Sequence, residues 1–165
     1  MKSTFVAILM GSDSDLTTMQ ACVDILKSFA IPYEIRITSA HRTPEATQQY
    51  VKDAEIRGCA VFIAAAGLAA HLAGAVAATT LKPVIGVPID AGSLQGLDAL
   101  LSTVQMPAGI PVATVAIGKP GAKNAAYLAI QILAVNDKEL TNKLMQERQT
   151  NAAKILAKND TLNAP

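Results

Sequence analysis

Phe5-Val6-Ala7-Ile8-Leu9-Met10 is a run of six apolar residues with no polar position inside it, closed by Gly11-Ser12-Asp13. A strand with one face in water alternates apolar and polar residues, so an unbroken short run has to be covered on both faces. The chain repeats the device. Residues 60–65, 84–87 and 112–117 read as further strands, and residues 33–38, Tyr-Glu-Ile-Arg-Ile-Thr, form one that alternates. Between the first two runs, Leu16, Met19, Val23 and Leu26 recur at helical spacing, with Cys22 and Phe29 on the same stripe. Residues 43–57, 69–80, 93–104 and 121–135 are the next expected helices. Strand and helix in alternation predict an α/β chain, a three-layer α/β/α sandwich with a central parallel sheet and right-handed crossovers.

The same apolar character raises a membrane reading, because residues 58–81 carry no charge and match a bilayer in length. That run is alanine-rich and contains Gly67, His71 and Gly74, whereas the uncharged 99–118 is cut by Pro107 and Pro111. Both divide into strand, glycine-containing loop and helix, and no membrane span is expected. The apolar start is too short for a signal-peptide core and is followed at once by acidic residues.

Asn136-Asp137-Lys138-Glu139 reads as an N-cap followed by a glutamate, opening a long, mostly polar helix to about residue 157. Leu140, Leu144, Ile155 and Leu156 are its sparse apolar marks. One domain over residues 1–158, including this C-terminal helix, and a flexible tail over 159–165 are the expected organisation. A formal charge of +1 gives no field to collect nucleic acid or an acidic membrane, and 4% aromatics with no Trp leave little for base stacking. Cys22 and Cys59 lack metal-ligand spacing and read as buried free thiols in a reducing cytoplasm. With 51% hydrophobic and 16% charged residues, part of the surface is expected to be buried in an oligomer.

Ligands of open parallel sheets bind beyond the carboxyl ends of the strands. The first strand runs into Gly11-Ser12-Asp13-Ser14-Asp15, a capping-box pattern that also offers hydroxyls and N–H groups to an anion and a carboxylate to sugar hydroxyls. The second runs into Ser39-Ala40-His41-Arg42-Thr43-Pro44-Glu45. There a proton-transfer group and a fixed cation meet a helix start, Thr43 as N-cap and Pro44 at the first helical position. Ala66-Gly67-Leu68-Ala69-Ala70-His71 closes the third strand, and Gly118-Lys119-Pro120-Gly121-Ala122-Lys123-Asn124 the last. Both histidines, Arg42, two lysines and the serine/aspartate cluster are thus expected on one rim. No GxGxxG, GxxxxGK[ST] or GxSxG pattern is present, and two histidines without acidic or cysteine companions make no zinc site.

Taken together these segments resemble the N5-carboxyaminoimidazole ribonucleotide mutase family of de novo purine synthesis. The resemblance runs in order through Met10-Gly11-Ser12, residues 39–44, Ala69-Ala70-His71-Leu72, residues 83–88, Gln105-Met106-Pro107, residues 116–119 and Asn124-Ala125-Ala126. It implies a flavodoxin-like fold, a cytoplasmic homo-octamer and a small-molecule nucleotide substrate, with no cofactor or metal. The implied reaction moves a carboxyl group from the exocyclic nitrogen to ring carbon C4 through transient CO2. By the same likeness His41 is the catalytic proton carrier. Arg42 holds the phosphate with Ser14 and Ser39 near it, Asp15 takes the ribose hydroxyls, and Ser12, Gly67 and His71 line the carboxylate side. The chain departs from the family pattern at Leu68, where a glycine is usual. Two alternatives are an aminoimidazole ribonucleotide carboxylase using free CO2, against which Arg42 and His71 speak, and a non-catalytic flavodoxin-like nucleotide-binding module.

Overall fold

The apolar runs form a single parallel sheet in the computed structural model, which describes residues 4–162. Its strands are β1 (Phe5–Met10), β2 (Tyr33–Ile37), β3 (Cys59–Ala66), β4 (Val84–Pro88) and β5 (Ala113–Thr114), in the order β2-β1-β3-β4-β5. Every pairing is parallel, with Ile8 opposite Ile35 on one side and Ile63 on the other. The unbroken runs occupy the middle, where β1 and β4 are buried at every position. The alternating strand β2 is an edge, half-covered to exposed throughout.

The helices are α1 (Leu16–Ser28), α2 (Pro44–Arg57), α3 (Leu72–Ala77), α4 (Leu97–Val104), α5 (Gly118–Ala134) and α6 (Lys138–Leu162). From β1 the chain first winds toward β2 and then back past β1 to β3. Right-handed crossovers in opposite directions put α1 on one face and α2 on the other. On the α2 face, Phe5, Ala7, Leu9, Phe62 and Ala64 pack with Val51 and Ala54 of α2 and with Leu72, Ala73 and Val76 of α3. The other face presents Val6, Ile8, Met10, Val61 and Ile63, all buried. Buried Met19, Cys22, Val23 and Leu26 of α1 belong there, and an edge-on contact of Phe29 with Tyr127 brings α5 to the same side. Leu16, expected on the buried stripe, is exposed.

The differences from expectation are local and physical. The apolar run 112–117 predicts a strand, yet only Ala113 and Thr114 pair, because β5 is an edge with β4 alone to bind. Helix α3 begins at Leu72 rather than 69, since Leu68 takes a left-handed backbone (φ 55°) that no helix continues. Positive φ at Gly92, Gln95 and Gly96 likewise delays α4 from 93 to 97. Helix α5 instead starts early, at Gly118, because Pro120 falls in its first turn, where the missing N–H is harmless.

By backbone contacts the chain divides into a unit ending at Ile130 and a second beginning at Gln131. In the second, Asp137 rather than Asn136 caps α6, its Oδ1 accepting from Leu140 N at 2.9 Å. Leu140 and Leu144 are buried, whereas Ile155 and Leu156 are exposed. The helix continues to Leu162, past the expected end near 157, through residues expected to be tail; 163–165 lie outside the described residues, as does the start at 1–3.

Candidate active site

The direction of winding reverses at β1, so the loops after β1 and β3 part and leave a crevice at the carboxyl end of the sheet. A cavity of about 510 Å³ opens there. Its wall includes Ser12, Ser14 and Asp15 from the first loop, Ser39, His41 and Arg42 from the second, and Gly67 and His71 from the third. Every residue expected in the site therefore lines one cavity. Lys119 and Lys123 do not; both are exposed, and neither is part of its wall. Ala91 joins the wall from the loop after β4. The rule about strand ends covers that loop too, but an alanine carries no chemical signal by which to find it.

In the first loop Ser12 precedes a 3-10 turn, Asp13–Asp15, and its Oγ accepts from Ser14 N at 3.3 Å. The Ser14 hydroxyl lies 2.9 Å from Ser12 Oγ and 3.4 Å from Asp15 Oδ1. Asp15 is buried, at 7% exposure. Burial pushes its carboxyl above the ordinary 3.8, an effect opposed by the Ser12 backbone N–H and the Ser14 hydroxyl and reinforced by the Asp13 charge. The capping-box pattern thus serves mainly to tether a carboxylate at the cavity wall.

The second loop is shaped from within. Ser39 Oγ accepts from both His41 N (3.3 Å) and Arg42 N (3.1 Å), fixing the two residues together. Thr43 precedes α2 as expected, but its hydroxyl does not cap the helix. Instead its Oγ1 accepts from Ser39 N at 2.9 Å, closing the loop on itself. Thr38, hydrogen-bonded to Thr47 at 2.6 Å, pins the loop to α2. Arg42 reaches across to the first loop, Nη2 donating to Gly11 O at 3.5 Å, so its guanidinium stands beside the serine cluster.

His41 Nε2 and His71 Nδ1 are 2.7 Å apart, with the rings edge-on at 86°. Two ring nitrogens at that distance share one proton, one donating and the other accepting. The cavity therefore holds a fixed cation, a buried carboxylate, three serine hydroxyls and a proton-sharing imidazole pair. Such a set can bind a phosphate, accept from sugar hydroxyls and move a proton. Among the described residues no three His, Cys, Asp or Glu side chains gather as a metal site would need.

The chain is similar to known proteins over nearly its whole length. The family described as AIR carboxylase matches residues 5–154. An N5-carboxyaminoimidazole ribonucleotide mutase of Saccharolobus solfataricus is 61% identical over 139 residues, 84% of this chain and 87% of its own. Those of Bacillus subtilis and Escherichia coli K12 are each 50% identical, covering 95% and 96% of this chain and 97% and 94% of theirs. The crystal structure of Treponema denticola PurE superposes with a TM-score of 0.88 at 35% identity, covering 98% of this chain and 99% of that one.

Proposed function

This chain belongs to the AIR carboxylase family, and from that premise we propose that it converts N5-carboxyaminoimidazole ribonucleotide to 4-carboxy-5-aminoimidazole ribonucleotide. It is then an isomerase, an intramolecular transferase of purine synthesis. The observation that carries the reading is the His41–His71 pair facing the same cavity as Arg42 and Asp15. The relatives at 50–61% identity that bear the mutase name point the same way.

In this reading Arg42 holds the phosphate, with Ser14 and Ser39 beside it, and the Asp15 carboxylate accepts from the ribose hydroxyls. Ser12, Gly67 and His71 border the carboxylate. His41 in its protonated form gives a proton to the exocyclic nitrogen as the carbamate N–C bond breaks, releasing CO2 and the neutral amine. The electron-rich ring then attacks CO2 through C4. Neutral His41 removes the C4 proton, which restores the aromatic ring and returns the imidazole to its first state. One proton leaves and one returns, as an imidazole permits near neutrality. The carbamate supplies an already activated carboxyl group, so the scheme uses no nucleotide triphosphate and no metal.

A homo-octamer in the cytoplasm belongs to the same proposal. Leu97, Leu101 and Val104 form an exposed apolar stripe along α4, and Leu81 is fully exposed, surface that assembly would cover. Among the described residues no helix is long and apolar enough to cross a membrane. Sedimentation tests the assembly. The activity is tested by offering the purified protein either the carbamate nucleotide or aminoimidazole ribonucleotide with bicarbonate. Conversion of the first without dependence on added bicarbonate is expected; a preference for free CO2 makes the chain a carboxylase instead.

A further inference from the structure

We propose that Ser102, on α4 and outside the cavity wall, is a positioning residue for His71. The inference rests on the reading that His41 and His71 face the reacting nucleotide. It arises from the way the third loop is held. Within residues 67–71, the bond from His71 N to Ala69 O (2.9 Å) is local and shapes a turn without placing it. Ala70, which precedes His71 and is buried, donates its N–H to Ser102 Oγ at 3.1 Å. Beside the ring contact with His41 and the bond by which Ala75 N of α3 donates to His71 O (2.9 Å), this bond ties the segment to a further element, α4.

Ser102 is suited to the task. Its hydroxyl proton is directed to backbone carbonyls of its own helix, Asp98 O at 2.8 Å and Ala99 O at 3.2 Å, which turns an oxygen lone pair outward to Ala70. Helix α4 packs on β4 and β5, and Ser102 itself is not part of the cavity wall. The segment also needs an external hold, because Leu68 sits at φ 55°, a conformation its own side chain disfavours. Without Ser102 Oγ, the Ala70 N–H is buried with no partner, and the turn relaxes to find one. His71 follows Ala70 directly, so the relaxation falls on a 2.7 Å ring-to-ring distance.

The test uses the full chain with Ser102→Ala and Ser102→Thr, the second keeping the hydroxyl. Expected for Ser102→Ala is kcat lowered about 10- to 100-fold with KM within about threefold, and near recovery in Ser102→Thr. The unliganded protein is read in parallel by 15N NMR of its two imidazoles: the hydrogen-bonded signals of His41 and His71 should be lost in Ser102→Ala and kept in Ser102→Thr. A lower Tm with unchanged kcat per folded molecule and unchanged imidazole signals overturns the proposal. If wild type proves inactive on the carbamate nucleotide while Ser102→Ala still alters the imidazole signals, the proposed reaction fails and the positioning role stands. Should Ser102→Ala not fold, Ser102→Cys, with a poor acceptor of similar size, gives the same contrast.

Discussion

Gly86, in the middle of β4, is the position where one added methyl should do most harm to the sheet. A Cβ there would stand 2.4 Å from Thr103 Cγ2, 2.9 Å from Val112 Cγ1 and 3.4 Å from Ala73 Cβ. Carbon atoms in good contact sit about 3.5–4.0 Å apart. Thr103 cannot rotate out of the way, because it is buried and its hydroxyl donates to Ala99 O at 2.6 Å. Overpacking of this kind costs about 1–3 kcal/mol. Alanine's smaller freedom in the unfolded chain returns about 0.4–1 kcal/mol, leaving Gly86→Ala destabilised by roughly 1–2 kcal/mol. Thr103→Ser removes the offending methyl and keeps the hydroxyl; alone it should cost about 1 kcal/mol, as deletion of a buried methyl does. In the Gly86→Ala background the same change removes the worst clash, so the double variant should be more stable than the sum of the singles by at least about 1 kcal/mol. Equilibrium denaturation at one protein concentration gives all four values. Additivity within about 0.5 kcal/mol would refute the argument, since it would show that the strand does not press on Thr103.

Replacing His41 by Asn should leave nucleotide binding within a few-fold while turnover falls by about 10²–10⁴, as loss of an acid–base group does; binding by calorimetry beside steady-state kinetics shows it, and near wild-type turnover removes His41 from its role. Arg42→Lys keeps the charge but loses the planar fork, and should raise KM about tenfold with a smaller change in kcat if phosphate is its ligand. Asp15→Asn separates stability from binding. Because burial raises its carboxyl above 3.8, the native state holds that proton more tightly than the unfolded chain does. Native stability therefore falls as pH rises through the window above 3.8 and Asp15 ionises. The amide should make the protein more stable than wild type near pH 7, with the advantage shrinking toward pH 4, while substrate affinity drops about tenfold. Denaturation at the two pH values decides: an amide variant less stable at neutrality would contradict the burial argument.

The strands were legible because a residue buried on both faces of a sheet leaves no polar partner in the pattern, and β2 betrayed its edge position by alternating. Where backbone conformation rather than hydrophobicity sets the boundary, the pattern fails. Leu68 and Gln95 adopt positive φ without being glycine, and nothing in their chemistry marks the helices they delay. The site divides in the same way. Residues with chemical side chains after β1, β2 and β3 were found from the strand-end rule. Ala91 and Ser102 were not, because one contributes only shape and the other acts through a backbone N–H 32 positions away. The lysines after β5 show the opposite error: their strand is the far edge of the sheet, and neither side chain is part of the cavity wall.

Apart from Ala91, the cavity wall is drawn from residues 11 to 72, from the loops of β1, β2 and β3. A bound nucleotide therefore acts as a staple on three strands out of five. It raises the free energy of opening those strands by RT ln(1 + [L]/Kd), meets the loop after β4 only at Ala91 and does nothing directly for β5. Amide exchange in the ligand complex should then slow across the first half of the sheet while Ala113 and Thr114 exchange as before. The protein would answer its substrate by becoming less uniform in rigidity, firm where the carboxyl group moves and loose at the far edge.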